Sequence, residues 1–174
     1  MEASQKSIIT CAQPLAAFGA DMLVLAEQYL DAFSALEVKE RMNRLRPAYF
    51  LLSHATELAL KSFLIIRGAD YDQIHKLNHR IKRIYVEAIN NGLPDVPKLN
   101  LLIDHLDDMN DENSLRYPAY QFLSVPDAEE CAEVCRTLLS AIGPKIKTAG
   151  FVSMMKFRAR HPGCEFSWAG VPQA

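Results

Sequence analysis

Residues 45–68 read LRPAYFLLSHATELALKSFLIIRG. The run is apolar enough to be buried on nearly every side, yet His54, Glu57 and Lys61 interrupt it at helical spacing. On a helix these three share one face, and Glu57 precedes Lys61 by four residues, the favourable order for an intrahelical ion pair. The bland reading is a pair that lets a buried helix surface on one side, worth about 0.3–0.5 kcal/mol. That is a weak reason to put two charges in such a segment, so a polar pocket stands beside it as the alternative. Pro47 suits the first turn, where its missing N–H costs nothing. Gly68 is placed to end the helix in a left-handed conformation.

Outward from this segment the pattern stays helical. A first helix covers 15–37, with Leu15, Phe18, Met22, Leu25, Tyr29 and Phe33 forming an apolar stripe. The polar run VKERMNRLRP extends it by a turn or two. After the connector ADYDQ comes a third helix over 74–91, ended by NNG and Pro94, and a fourth over 98–112. A fifth covers 127–142, with Asp127 as its cap and Glu129 and Glu130 at the positive end of its dipole. Gly143 and Pro144 close it. In the tail, Pro162 and Gly163 occupy turn positions, so 151–174 reads either as a C-terminal β-hairpin or as helix followed by irregular chain. The expected fold is all-α: an up-and-down four- or five-helix bundle over 1–150 with a short C-terminal extension over 151–174.

A chain of 174 residues, 49% hydrophobic and 23% charged, has the composition of one ordinary globular domain. Its net charge of −2 announces no nucleic-acid partner, but the charge is unevenly spread. Nine acidic residues and one basic one, Arg116, lie between Asp104 and Glu133, whereas 76–83 and 145–160 carry only basic charges. Such blocks are solvated helix faces or a basic surface for phosphates. Four scattered cysteines are too few for a disulfide framework. No secretory signal is read at the N-terminus, and charges break the longest apolar run before the ~18–20 residues of a membrane span. The expected setting is a reducing cytoplasm, with no membrane partner.

His75 and His79 stand four apart, a spacing that two ligands of one metal can use, but no HExxH pattern supplies a third, so no metal site is expected. Cys131 and Cys135 read as small buried residues. In ENSLRYPAYQF (112–122), Arg116 is flanked by Tyr117 and Tyr120, and Pro118 puts it near a helix end or kink. Such an arginine can clamp a carboxylate, for instance Glu57, or a phosphate. There is no phosphate-cradling glycine loop and no GxSxG elbow, and no cofactor is implied.

Three of these pieces, ATELALKSFLIIRG, IHKLNHRI and SLRYPAY, occur in an order and spacing that resemble the HEPN superfamily, over about 48–122. Glu57, Leu60 and Lys61 resemble its ExxLK-type helix, His75 and Leu77 its HxL segment, and Arg116, Tyr117 and Pro118 its RYP segment. The resemblance implies a helical bundle that pairs into a homodimer, with Glu57, Lys61, His75, Arg116, Tyr117 and Tyr120 around a cleft for a ligand. It also implies a toxin–antitoxin or defence-type context. The family's active ribonucleases place a histidine beyond an arginine with four to six residues between; after Arg116 those positions hold Gln121, Phe122 and Leu123. Glutamine cannot move protons near neutral pH. The reading is therefore a non-catalytic module that binds nucleotide, RNA or a partner protein, with Lys76, Arg80, Lys82 and Arg83 as its basic patch. The alternative is a metal-independent ribonuclease toxin using Arg116 with His54 or His75.

Overall fold

A computed structural model describes residues 13–109, 115 and 126–161. In chain order its helices are α1 (Leu15–Ser34), α2 (Val38–Asn43), α3 (Leu45–Ile66), α4 (Tyr71–Lys76), α5 (Ile81–Asn90), α6 (Leu99–Met109) and α7 (Ala128–Arg160). No strand occurs among the described residues. Five longer helices make the bundle, and α2 and α4 are short connectors. The all-α expectation holds.

At the centre is α3, packed against α1, α7 and α5. Leu52, Leu60 and Leu64 are fully enclosed. Tyr49 reaches across with its hydroxyl donating to the carbonyl of Pro126, just before α7. Burial, with Cys131 and Asp127 nearby, pushes that phenol up to about 12. α1 runs antiparallel to both neighbours, since Gly19 lies beside Ile65 of α3 while Gly150 and Gly143 of α7 lie beside Ala20 and Leu23.

The seam of α1 differs from the expected stripe. Ala17, Gly19, Ala20, Leu23, Ala26, Leu30 and Phe33 are buried, while Leu15, Phe18, Met22 and Tyr29 are only half-buried and Leu25 is exposed. Small side chains face inward because α1 sits close against two helices at once. Leu23, Leu30 and Phe33 share that face with them, and the other large apolar residues fall to the flanks of the contact.

Three boundaries also differ. The polar run after α1 does not extend it; the chain turns at 35–37 and starts α2 afresh. The expected third helix is two helices, α4 and α5, separated by a corner at 77–80. Asn78 there takes a left-handed φ of 51°, which asparagine tolerates better than most residues. Asp70 and Gln73 form a reciprocal capping box at the start of α4, so part of the expected connector is helix. Finally, α7 does not close at Gly143 and Pro144 but continues unbroken to Arg160. Leu138, Leu139, Ile142, Ile146, Gly150 and Met154 form one buried seam across the proline, and that packing outweighs the ~3 kcal/mol a mid-helix proline costs. Residues 151–160 are thus helical rather than the first arm of a hairpin, while the turn at Pro162 and Gly163 lies outside the described residues. Gly68 does end α3 as expected, at φ 105°.

By length and composition α3 is the one helix among the described residues that could cross a bilayer, and it carries its charges without a break. Yet 78% of its apolar window is buried in the bundle, as in the core helix of a folded domain.

Candidate functional site

The charges that interrupt α3 are not on a surfaced edge. Glu57 is only 5% exposed and Lys61 7%, so the exposed-pair reading is wrong. Lys61 Nζ donates to Glu57 Oε1 at 2.7 Å and to the Asn78 carbonyl at 2.6 Å. His79 Nδ1 lies 2.9 and 3.2 Å from the two oxygens of Glu57. A carboxylate offers only lone pairs, so Nδ1 must carry the proton. That leaves Nε2 as the ring nitrogen not engaged by Glu57, on a side chain 52% exposed.

Glu57 is thus a buried anion tied to two other points of the chain. Burial pushes its carboxyl up, but His54, Lys61 and His79 more than reverse that and hold it at about 2, against 4.5 for an unperturbed glutamate. A folded-state value below the unfolded one makes a contribution that is complete above about pH 4.5 and lost as pH falls toward 2. We expect about 3 kcal/mol of unfolding free energy to vanish across that window. Urea titrations at successive pH values should show it, and Glu57→Gln should remove that part of the pH dependence.

His54, the third polar residue of the opening stretch, stands slightly apart. Its ring stacks on Phe50 at 5.6 Å and meets Tyr29 edge-on at 4.6 Å. Its buried Nδ1 lies 3.9 Å from Glu57 and makes no hydrogen bond, so His54 helps to hold that carboxyl down only through charge, when the ring is protonated. His75 does not join the pocket. It is exposed on α4, its ring parallel to that of Tyr71 at 6.2 Å. The corner at Asn78 separates it from His79, so the two histidines do not share a helix face. Arg116, Tyr117 and Tyr120 lie outside the described residues.

The expected basic patch divides. Lys82 is claimed by α6: its Nζ is 2.7 Å from Asp104, and Asp107 and Asp108 add to the local negative field. Lys76, Arg80 and Arg83 are exposed around the α4–α5 corner and make no ion pair among the described residues. Cys131 and Cys135 are buried thiols, both pushed up to about 11 by burial, and are inert as nucleophiles at neutral pH. Among the described residues, no group of three or more His, Cys, Asp or Glu converges to hold a metal ion. The recess between α6 and α7, beside His105 and Val134, measures about 60 Å³, room for a water or two.

His79 and Asn78 are the site residues that the sequence reading missed. The signal was Asn78 itself, a residue suited to a left-handed turn in the middle of an otherwise helical run. Once the corner is formed, the next residue is free to aim back at α3.

No curated protein and no solved structure matches the chain. The family model described as HEPN domain matches residues 22–146, a span that runs from the first turns of α1 to Ile146 of α7 and includes the whole Glu57–Lys61–His79 cluster. By that match the chain belongs to the HEPN-domain family.

Proposed function

We propose that this HEPN domain is a non-catalytic binding module that takes the phosphate of a nucleotide or RNA at its α4–α5 corner, in a toxin–antitoxin or defence-type setting. The carrying observation is the corner itself. Glu57 and Lys61 hold it from below through His79 and the Asn78 carbonyl. Lys76, Arg80 and Arg83 stand exposed around it without an acidic partner among the described residues. Glu57 and Lys61 therefore support the site rather than touch the ligand. The family resemblance adds Arg116 as a candidate phosphate-binding residue and implies a homodimer, and both belong to the same proposal.

Fluorescence polarisation with labelled single-stranded RNA and a labelled nucleotide tests this. We expect binding at 50 mM salt that weakens steeply by 200 mM. Arg80→Ala with Arg83→Ala should lower the salt slope by about 1 per phosphate contact removed. No signal at low salt, or binding unchanged in the double variant, would overturn the reading.

A second reading rests on the His79–Glu57 pair, because a carboxylate that fixes an imidazole tautomer leaves Nε2 able to accept a proton. The ribonuclease alternative would then use His79 rather than His54, wedged between rings, or His75, on α4. It predicts RNA cleavage in the presence of EDTA that His79→Ala abolishes. Cleavage that survives that substitution removes it.

A further inference from the structure

The C-terminal half of α7 presents a second surface, one that the phosphate proposal does not use. Ile146, Gly150 and Met154 face the bundle. On the opposite side Phe151, Val152 and Met155 are 49%, 43% and 49% exposed. With Thr148 and Ala159 they recur at three- and four-residue steps, so they share one face. Three bulky apolar side chains clustered on a solvent-facing strip are the kind of exposure that marks an interaction site. An open groove runs beside them, lined by Pro144, Lys145, Ala149, Val152, Ser153 and Lys156.

Cations border the strip on both sides. Lys145, Lys156 and Arg160 lie along one edge by helical spacing and make no ion pair among the described residues. Lys147, paired to Glu27 at 2.8 Å, and Arg158 lie along the other. Residues 145–160 contain five basic residues and no acidic one. Most of this face lies beyond 22–146, so the family match says nothing of what it binds.

We propose that this face of α7 docks an acidic amphipathic helix of a partner protein. The partner's apolar residues at i, i+3 or i+4 and i+7 would cover Phe151, Val152 and Met155, and its flanking Asp and Glu side chains would meet the edge formed by Lys145, Lys156 and Arg160. The charge pattern argues against a second copy on this face, because a two-fold contact sets each patch against its own image and like charges against one another. A nucleic-acid backbone would satisfy the cations but leave the apolar centre uncovered.

The full chain, immobilised, can be used to select from a displayed library of 20-residue helical peptides. The enriched pool is expected to be net acidic with the stated apolar spacing, and to lose about tenfold in affinity against Met155→Glu or Phe151→Glu. Both positions are exposed, so the variants should keep the wild-type circular dichroism and melting temperature. No enriched pool, a pool that is not acidic, or one indifferent to both variants overturns the proposal. It is equally overturned if either variant releases the chain from phosphatidylglycerol vesicles, which would make the occupant a lipid surface. A dimer in sedimentation that Met155→Glu splits would make it a second copy.

Discussion

Glu57→Ala is expected to destabilise the fold by about 3–5 kcal/mol, the usual cost of breaking a buried ion pair from one side. The reason lies in what remains. Lys61, only 7% exposed, would keep the Asn78 carbonyl but lose its counter-ion. His79 would lose the acceptor that orients its Nδ1–H. The α4–α5 corner would then keep only the Lys61–Asn78 bond beside the packing of Leu77 and Ile81, so amide exchange at 77–80 should speed up by more than the global destabilisation accounts for. Replacing the pair together, Glu57→Leu with Lys61→Met, removes both charges at similar volume. The double variant should therefore recover at least about 2 kcal/mol relative to Glu57→Ala. Urea unfolding measures all three proteins, and a Glu57→Ala value within 1 kcal/mol of wild type would dissolve the idea that this cluster ties α3 to the corner.

Gly150→Ala should cost about 1–3 kcal/mol even though alanine is the better helix former by about 1 kcal/mol. A Cβ at this position would come within 2.4 Å of Ala20 Cβ and 3.1 Å of the Ala16 carbonyl oxygen. The first is closer than two carbons can approach, and the second is backbone that cannot swing aside. Gly143 on the same helix supplies the contrast. Its added Cβ would meet only Leu23 Cδ2 at 3.8 Å, an ordinary contact. Gly143→Ala should accordingly stabilise by about 1 kcal/mol. At this chain length 1 kcal/mol moves the melting temperature by about 2–4 °C, so calorimetry should shift the two variants in opposite directions. A shared direction would mean that α1 and α7 are not in the close contact described.

How much of this was legible in the sequence depended on how local the deciding interaction was. The span of α3, the stop at Gly68 and the cap at Asp127 rest on neighbouring residues, and each was readable from them. The Asp127 side chain does accept from the Glu130 amide at 2.8 Å. The Glu57–Lys61 pairing was legible for the same reason. Its burial was not, because that depends on Asn78 and His79, which approach only when the chain turns back. The inward seam of α1 was not legible, because four of its seven buried residues are alanine or glycine, which carry little apolar periodicity. It becomes sensible only when two helices, α3 and α7, must both come close. Gly143 and Pro144 read as a stop because local propensity says so; the seam from Ile142 through Ile146 and Gly150 to Met154, already present in the letters, was the stronger signal.

Pro144 lies on the solvent side of α7, and this placement has a mechanical meaning. A long helix that wraps a globule curves with its outer arc stretched, which lengthens the hydrogen bonds on that side. At Pro144 the outer arc has no such bond to strain, because proline brings no amide proton to the carbonyl four residues earlier. Bending α7 toward α1 and α3 at this point therefore meets less elastic resistance than it would in an unbroken ladder, and a 33-residue rod can follow the contour of the body it covers.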